Sequence, residues 1–148
     1  MHARKMAGHV IRRLNQISTQ VFTSHMQAAG LDLTPVQFAA MDAITSNPGV
    51  DQASVAAMIA YDRATIGGVI DRLVHKGYVD RTISSRDRRA RELRMTSAGS
   101  KAYDMILPRV ASLQSEILSD LSPTEIEHFL ALARKAAGID LTETTPSV

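Results

Sequence analysis

The sequence predicts a mainly α-helical chain that carries one small β-hairpin. Three observations lead there. Apolar residues recur at helical three-and-four spacing through most of the chain. Two short extended runs, Tyr78 to Ile83 and Arg91 to Met95, flank a polar, arginine-loaded Ser84 to Ala90. Explicit start signals punctuate the helices, including the capping boxes Thr34-x-x-Gln37 and Ser122-Pro123-Thr124-Glu125.

With 148 residues, 45% of them hydrophobic and 22% charged, the chain falls among globular proteins long enough to bury a core, as one domain with at most an appended layer. No apolar run approaches the roughly 18 residues of a membrane span. The opening MHARKMAGHVIRRL lacks an apolar leader core, so a cytoplasmic protein is expected. Cysteine is absent, which excludes disulfides, thiolate metal sites and cysteine-based redox sensing.

The first helix is expected over residues 6 to 29. Val10, Leu14, Ile17 and Val21 form its stripe, Ile11 and Phe22 widen it, and Gly30 ends it. So long a helix has more apolar surface than a small domain covers, so it is expected to pack on another chain. Arg13 borders the apolar arc beside His9, Gln16, Gln20 and Ser24, whereas Arg12 projects nearly opposite it. The second helix starts at Thr34-Pro35, turns Phe38, Met41 and Ile44 inward, and ends at the turn Asn47-Pro48-Gly49. A short third helix, Asp51 to Ile59, turns Val55, Ala56 and Ile59 inward.

Asp62 is the expected N-cap of the next helix and Gly77 its left-handed stop. Ile66, Val69, Ile70 and Leu73 make the buried stripe, leaving Ala64, Thr65, Gly68, Asp71, Arg72 and His75 on the outward face. Gly67 and Gly68 each cost roughly 1 kcal/mol against alanine inside a helix. Either another surface approaches closely there, with outward Gly68 the better candidate, or two helices cross tightly. The hairpin follows. From Lys76 to Arg94, seven cationic side chains face three acidic ones, +4 within a chain of formal net charge +2. Basic charge concentrated on one short segment is the footprint of a polyanion partner.

Past the hairpin, Gly99 to Asp120 carries Ala102, Met105, Ile106, Val110, Leu113, Ile117 and Leu118 on a second long amphipathic helix, with Pro108 as a candidate kink. A last helix runs from the Ser122 box through Phe129, Leu130 and Leu132 to Gly138, and a frayed polar tail is expected beyond it. The expected organisation is thus a terminal helix over 1–30, a compact lobe over 31–96, two further helices over 97–140 and a tail over 141–148. The terminal stripes have no partner in the lobe, which points to an intertwined dimer layer.

Three helices followed by a two-stranded wing is the winged helix-turn-helix order. The stretch DRLVHKGYVDR, the wing pattern Asp87-x-Arg89 and the helix opening Thr96-x-x-Gly99 resemble the multiple-antibiotic-resistance regulator (MarR) family, with flanking helices that fit over about residues 6 to 138. The resemblance implies a homodimer whose N- and C-terminal helices form a dimerisation layer, presenting two reading helices to a pseudo-palindromic double-stranded operator. Some relatives sense oxidants through a cysteine, which this chain lacks. Thr65 and Arg63 are then candidates for base or backbone contacts, Gly68 for close approach, and Arg72 for phosphate. Arg89 resembles the family's minor-groove arginine, Asp87 orients it or its neighbours, Arg86 and Arg88 add backbone contacts, and Ser54 is a candidate phosphate contact.

The resemblance also implies a pocket for a small aromatic effector, a carboxylate or phenol, between the dimer layer and the lobe. A guanidinium grips a carboxylate through two parallel hydrogen bonds, which makes Arg13 the candidate, with His9 and His25 beside it. No HExxH, strand-bound phosphate loop or GxSxG appears, so neither an enzyme nor a cofactor is expected. The rival reading is a winged-helix protein-interaction module that uses the same basic face on an acidic partner.

Overall fold

The computed structural model describes residues 2–139; the tail expected over 141–148 lies outside them. A short 3-10 turn, His2–Lys5, precedes α1 (Ala7–Ala28). Then come α2 (Pro35–Ser46), α3 (Gln52–Met58), α4 (Ile66–His75), β1 (Val79–Ile83), β2 (Arg91–Met95), α5 (Ser97–Ile117) and α6 (Pro123–Ala137).

Local chemistry accounts for most boundaries. Thr34 Oγ1 accepts from the Gln37 amide at 3.2 Å while Gln37 Oε1 accepts from the Thr34 amide at 3.3 Å, and Ser122 and Glu125 repeat the box at α6. At α6, the Ser122 amide and hydroxyl hold the Glu125 carboxyl below its ordinary pKa. Gly138 ends α6 in the left-handed conformation. Helix α5 runs unbroken through Pro108. Its N-cap, Thr96, accepts from the Gly99 amide at 2.9 Å and donates to the Gly77 carbonyl at 2.6 Å, so one hydroxyl closes both the helix start and the hairpin base.

One expectation needs correction. Helix α4 begins at Ile66 rather than just after Asp62. The Asp62 carboxylate accepts from the Ala64 amide at 3.0 Å and its carbonyl from the Thr65 and Ile66 amides, so Asp62 heads a turn; Thr65, whose hydroxyl donates back to the Asp62 carbonyl at 3.1 Å, is left as an N-cap without a side-chain capping bond. The two-stranded wing also carries a short backbone pairing beyond its own ladder. The Gly49 amide donates to Leu93 O and the Leu93 amide to Val50 O, each at 2.9 Å, and Asp51 bridges Glu92.

The core lies where α2, α3, α4, the hairpin base, the start of α5 and the end of α1 converge. Met26, Met41, Ile44, Val55, Ile66, Ile70, Leu73, Val79, Leu93, Ile106 and Leu113 are fully buried there. Side chains of this size contribute about 1.5 to 3 kcal/mol each when removed from water. Gly99 is required by this packing, because a Cβ there would lie 2.0 Å from the Tyr78 carbonyl oxygen. The terminal helices differ. Helix α6 buries no residue, and Val10, Ile11, Met105, Leu107 and Leu132 remain exposed, the last at 67%. Among the described residues, no helix is long and apolar enough to cross a membrane.

Candidate nucleic-acid interface

Helix α4 buries Ile66, Val69, Ile70 and Leu73 and leaves Thr65, Gly68, Asp71, Arg72 and His75 exposed, as its periodicity predicts. A Cβ at Gly68 would meet nothing within 4 Å, and one at Gly67 would touch only Gln52 Nε2 at 3.4 Å. No helix crossing inside the chain therefore demands either glycine. The outward face is thin at its beginning and cationic towards Arg72.

The wing tip is tied down from within. Ser84 is buried, and its Oγ accepts from the Arg86 amide at 3.2 Å and the Asp87 amide at 3.4 Å. Asp87 Oδ1 accepts from the Arg89 amide at 2.9 Å, so this carboxylate shapes the backbone under Arg89. Arg86, Arg88 and Arg89 themselves are exposed and, among the described residues, make no side-chain hydrogen bond or ion pair.

Not every cation of this segment is available. Arg81 Nη1 pairs with Asp71 Oδ1 at 2.6 Å and reaches Gln52 Oε1 at 3.4 Å, tying β1 to α4 and α3. Lys76 Nζ donates to the Asp32 carbonyl and to Gln37 Oε1 at 3.0 Å, with the Asp32 carboxylate 3.8 Å away. Arg94 lies against Gly49, whose φ of +86° suits glycine and where a Cβ would stand 2.8 Å from the guanidinium. The charge run gives no hint of these attachments, because each partner lies in another element.

Four expected contact residues converge. Ser54, Arg63, Asp87 and Arg89 line one cleft of about 650 Å³ between the start of α3, the turn before α4 and the wing tip. Ser54 Oγ donates to Asp51 Oδ2 at 3.0 Å, so its hydroxyl proton is engaged within the chain. Gly68 and Arg72 lie along α4, and Arg86 and Arg88 stand on the exposed wing tip.

The residues expected to hold an effector separate into two groups. His9 and Arg13 line an open groove on α1 together with Arg12, which helical projection had turned the other way. Arg13 Nη1 donates to Gln16 Oε1 at 2.6 Å. His25 turns instead towards α5, where its Nε2 lies 2.6 Å from Glu116 Oε2.

One buried polar residue was not singled out from the sequence. Tyr103 Oη donates to Asp42 Oδ1 at 2.5 Å. Burial, then the bond to Asp42, pushes its pKa up to about 12, so the hydroxyl remains a donor at any physiological pH.

Known proteins place this architecture. The family model of the MarR family matches residues 31–90. The transcriptional regulator HosA of Escherichia coli is 33% identical over 135 residues, covering 91% of this chain and 97% of the relative. The PcaV transcriptional regulator of Streptomyces coelicolor, solved with its natural ligand, superposes with a TM-score of 0.79 at 29% identity, covering 89% of this chain and 92% of that one. BpsR of Bordetella bronchiseptica, described as having its DNA binding regulated by 6-hydroxynicotinic acid, superposes with a TM-score of 0.79 at 25% identity, covering 88% of this chain and 97% of that one. With a winged helix, an open cationic wing and this likeness over nearly its whole length, the chain belongs to the MarR family of transcriptional regulators and is not an enzyme.

Proposed function

We propose that the protein is a homodimeric repressor that binds a pseudo-palindromic double-stranded operator in the cytoplasm and is released by a small aromatic carboxylate or phenol. The convergence of Ser54, Arg63, Asp87 and Arg89 on one cleft, together with an uncovered Gly68 on α4, is the observation that carries this reading.

In this arrangement α4 enters the major groove. Gly68 allows close approach to the groove floor, Thr65 and Arg63 meet base edges or the flanking backbone, and Arg72 meets phosphate. Arg89 enters the minor groove from a backbone shaped by Asp87, with Arg86 and Arg88 on phosphates. Ser54 joins them by exchanging its bond to Asp51 for one to phosphate. The exposed stripes of α1, α5 and α6 meet their copies across a two-fold axis, which places two reading helices about one duplex turn apart.

Arg13 supplies the guanidinium for an aromatic acid, with His9 and Arg12 beside it in the α1 groove. BpsR, whose DNA binding answers to a hydroxylated aromatic acid, supports that ligand class. Such a ligand releases DNA only by favouring one separation of the reading helices over another.

The test is a titration of the protein bound to its own upstream DNA with a panel of hydroxybenzoic and hydroxynicotinic acids. At least one acid is expected to displace the duplex, and Arg13→Ala is expected to blunt that response while DNA affinity holds. No displacement by any acid overturns the effector. No preference for upstream over random DNA overturns the operator.

A further inference from the structure

Tyr103 belongs neither to the DNA face nor to the α1 groove, yet it is 7% exposed and fully engaged. Its ring stacks on Phe38 of α2 with centroids 5.8 Å apart and planes 12° from parallel, and Phe38 meets Phe22 of α1 at 6.3 Å. Its hydroxyl donates to Asp42, one turn along α2 from Phe38. Among the described residues, this is the one side-chain hydrogen bond that joins a terminal helix (α1, α5 or α6) to a helix of the reading lobe (α2, α3 or α4). Asp42 is exposed, so the bond lies at the outer edge of the seam between the two.

Helix α5 has an earlier anchor. Thr96 is bonded to Gly77, and Gly99 presses on the Tyr78 carbonyl. Ile106 and Leu113 also pack this helix into the core, but apolar contacts can slide, whereas a directional attachment one turn beyond the anchor resists a tilt about it. From Gly99 to Ile117 the helix extends about 27 Å at roughly 1.5 Å per residue. A tilt of about 10° at the anchor moves the far end by about 5 Å, more than one base-pair step. The stacked rings can slide over one another at little cost, whereas the hydrogen bond is directional.

We propose that Tyr103 is a positioning residue whose bond to Asp42 fixes the angle between the terminal helices and the reading lobe, and so sets the separation of the two reading helices. The angle belongs to a single chain; the separation rests on the homodimeric operator-binding function proposed above. Tyr103→Phe keeps the ring and its stacking and removes only the hydroxyl. Asp42→Asn keeps an acceptor oxygen and weakens the bond without deleting it.

Because the chain has no cysteine, spin labels can be attached through His75→Cys on α4 and Gln114→Cys on α5, both exposed. Doubly labelled protein diluted into a large excess of unlabelled protein reports the distance within one chain. The parent background is expected to give one narrow distance, Tyr103→Phe a distribution about twofold wider, and Asp42→Asn an intermediate width. A Tyr103→Phe distribution of parental width and mean overturns the positioning role, whether or not the protein dimerises or binds DNA.

The second readout uses duplexes that the unmodified protein enriches from a random pool, resynthesised with one base pair added or removed between half-sites. The unmodified protein is expected to lose about tenfold in affinity for either altered spacing, and Tyr103→Phe less than about threefold, with the original duplex bound almost equally by both. Equal spacing penalties overturn the separation clause. Enrichment of no duplex overturns the operator-binding proposal and the separation clause with it, while the label distances still decide the angle.

Discussion

Helices α4 and α6 are both amphipathic, but they differ in where their apolar sides end up. Helix α4, 10 residues long, sets Ile66, Val69, Ile70 and Leu73 into the core, none of them more than 9% exposed. Helix α6, 15 residues long and better capped, buries nothing and leaves Leu132 67% exposed. Good caps and a clean stripe make a helix without deciding what it packs on. The reading lobe is complete within one chain, whereas the terminal helices carry apolar surface that, in the homodimer proposed above, a second copy covers.

The largest effect expected from this contrast is at Leu132. Leu132→Glu places an unpaired charge in the proposed interface and should weaken self-association at least about 100-fold, roughly 3 kcal/mol, with helix content retained. Sedimentation equilibrium measures it; unchanged association would remove α6 from the interface. Inside the lobe, Gly99→Ala drives a methyl group into the Tyr78 carbonyl and should cost about 2 to 3 kcal/mol in urea unfolding, because backbone on both sides resists the shift. A much smaller loss would mean that α5 slides freely on the hairpin.

Arg89→Ala should leave folding intact and lower duplex affinity by about 1 to 2 kcal/mol. The salt dependence of binding should also flatten by about one counterion per wing. An unaltered slope would place the wing away from DNA. The smallest effect has opposite signs in two assays. Gly68→Ala meets no neighbour, so it should stabilise the free protein by roughly 1 kcal/mol through helix propensity while weakening duplex binding through its added bulk. Tighter binding by this variant would leave the thin face without a purpose.

The sequence revealed what is encoded over a few residues. The Thr34 and Ser122 boxes, the α4 stripe and the Asp87-x-Arg89 tip all have their causes within about one turn of chain, and each is present in the structure. It did not reveal pairings that the fold makes across distance. Asp62 is a local exception: its carboxylate and carbonyl close a turn with Ala64, Thr65 and Ile66, an arrangement that competes with capping over the same few residues. Arg81 counted as a free cation until Asp71 was brought to 2.6 Å from it. Tyr103 and Asp42 are 61 residues apart, and neither carries a local signal of the other. The proposed DNA face was more legible than the proposed effector groove for the same reason. One helix and one hairpin build most of the former, whereas placing His25 depends on how α1 lies against α5.

The double use of the Thr96 hydroxyl joins two elements that would otherwise open independently. Any local unzipping of β1 from β2 breaks the bond to Gly77 and loosens the first turn of α5, so the amides of Thr96, which donates to the Tyr78 carbonyl across the hairpin base, and Gly99 should show matched deuterium uptake. The arginine-bearing tip lies outside this coupled unit. On the operator proposed above, its exposed arginine side chains can therefore adjust to minor grooves of different width while the hairpin base stays closed.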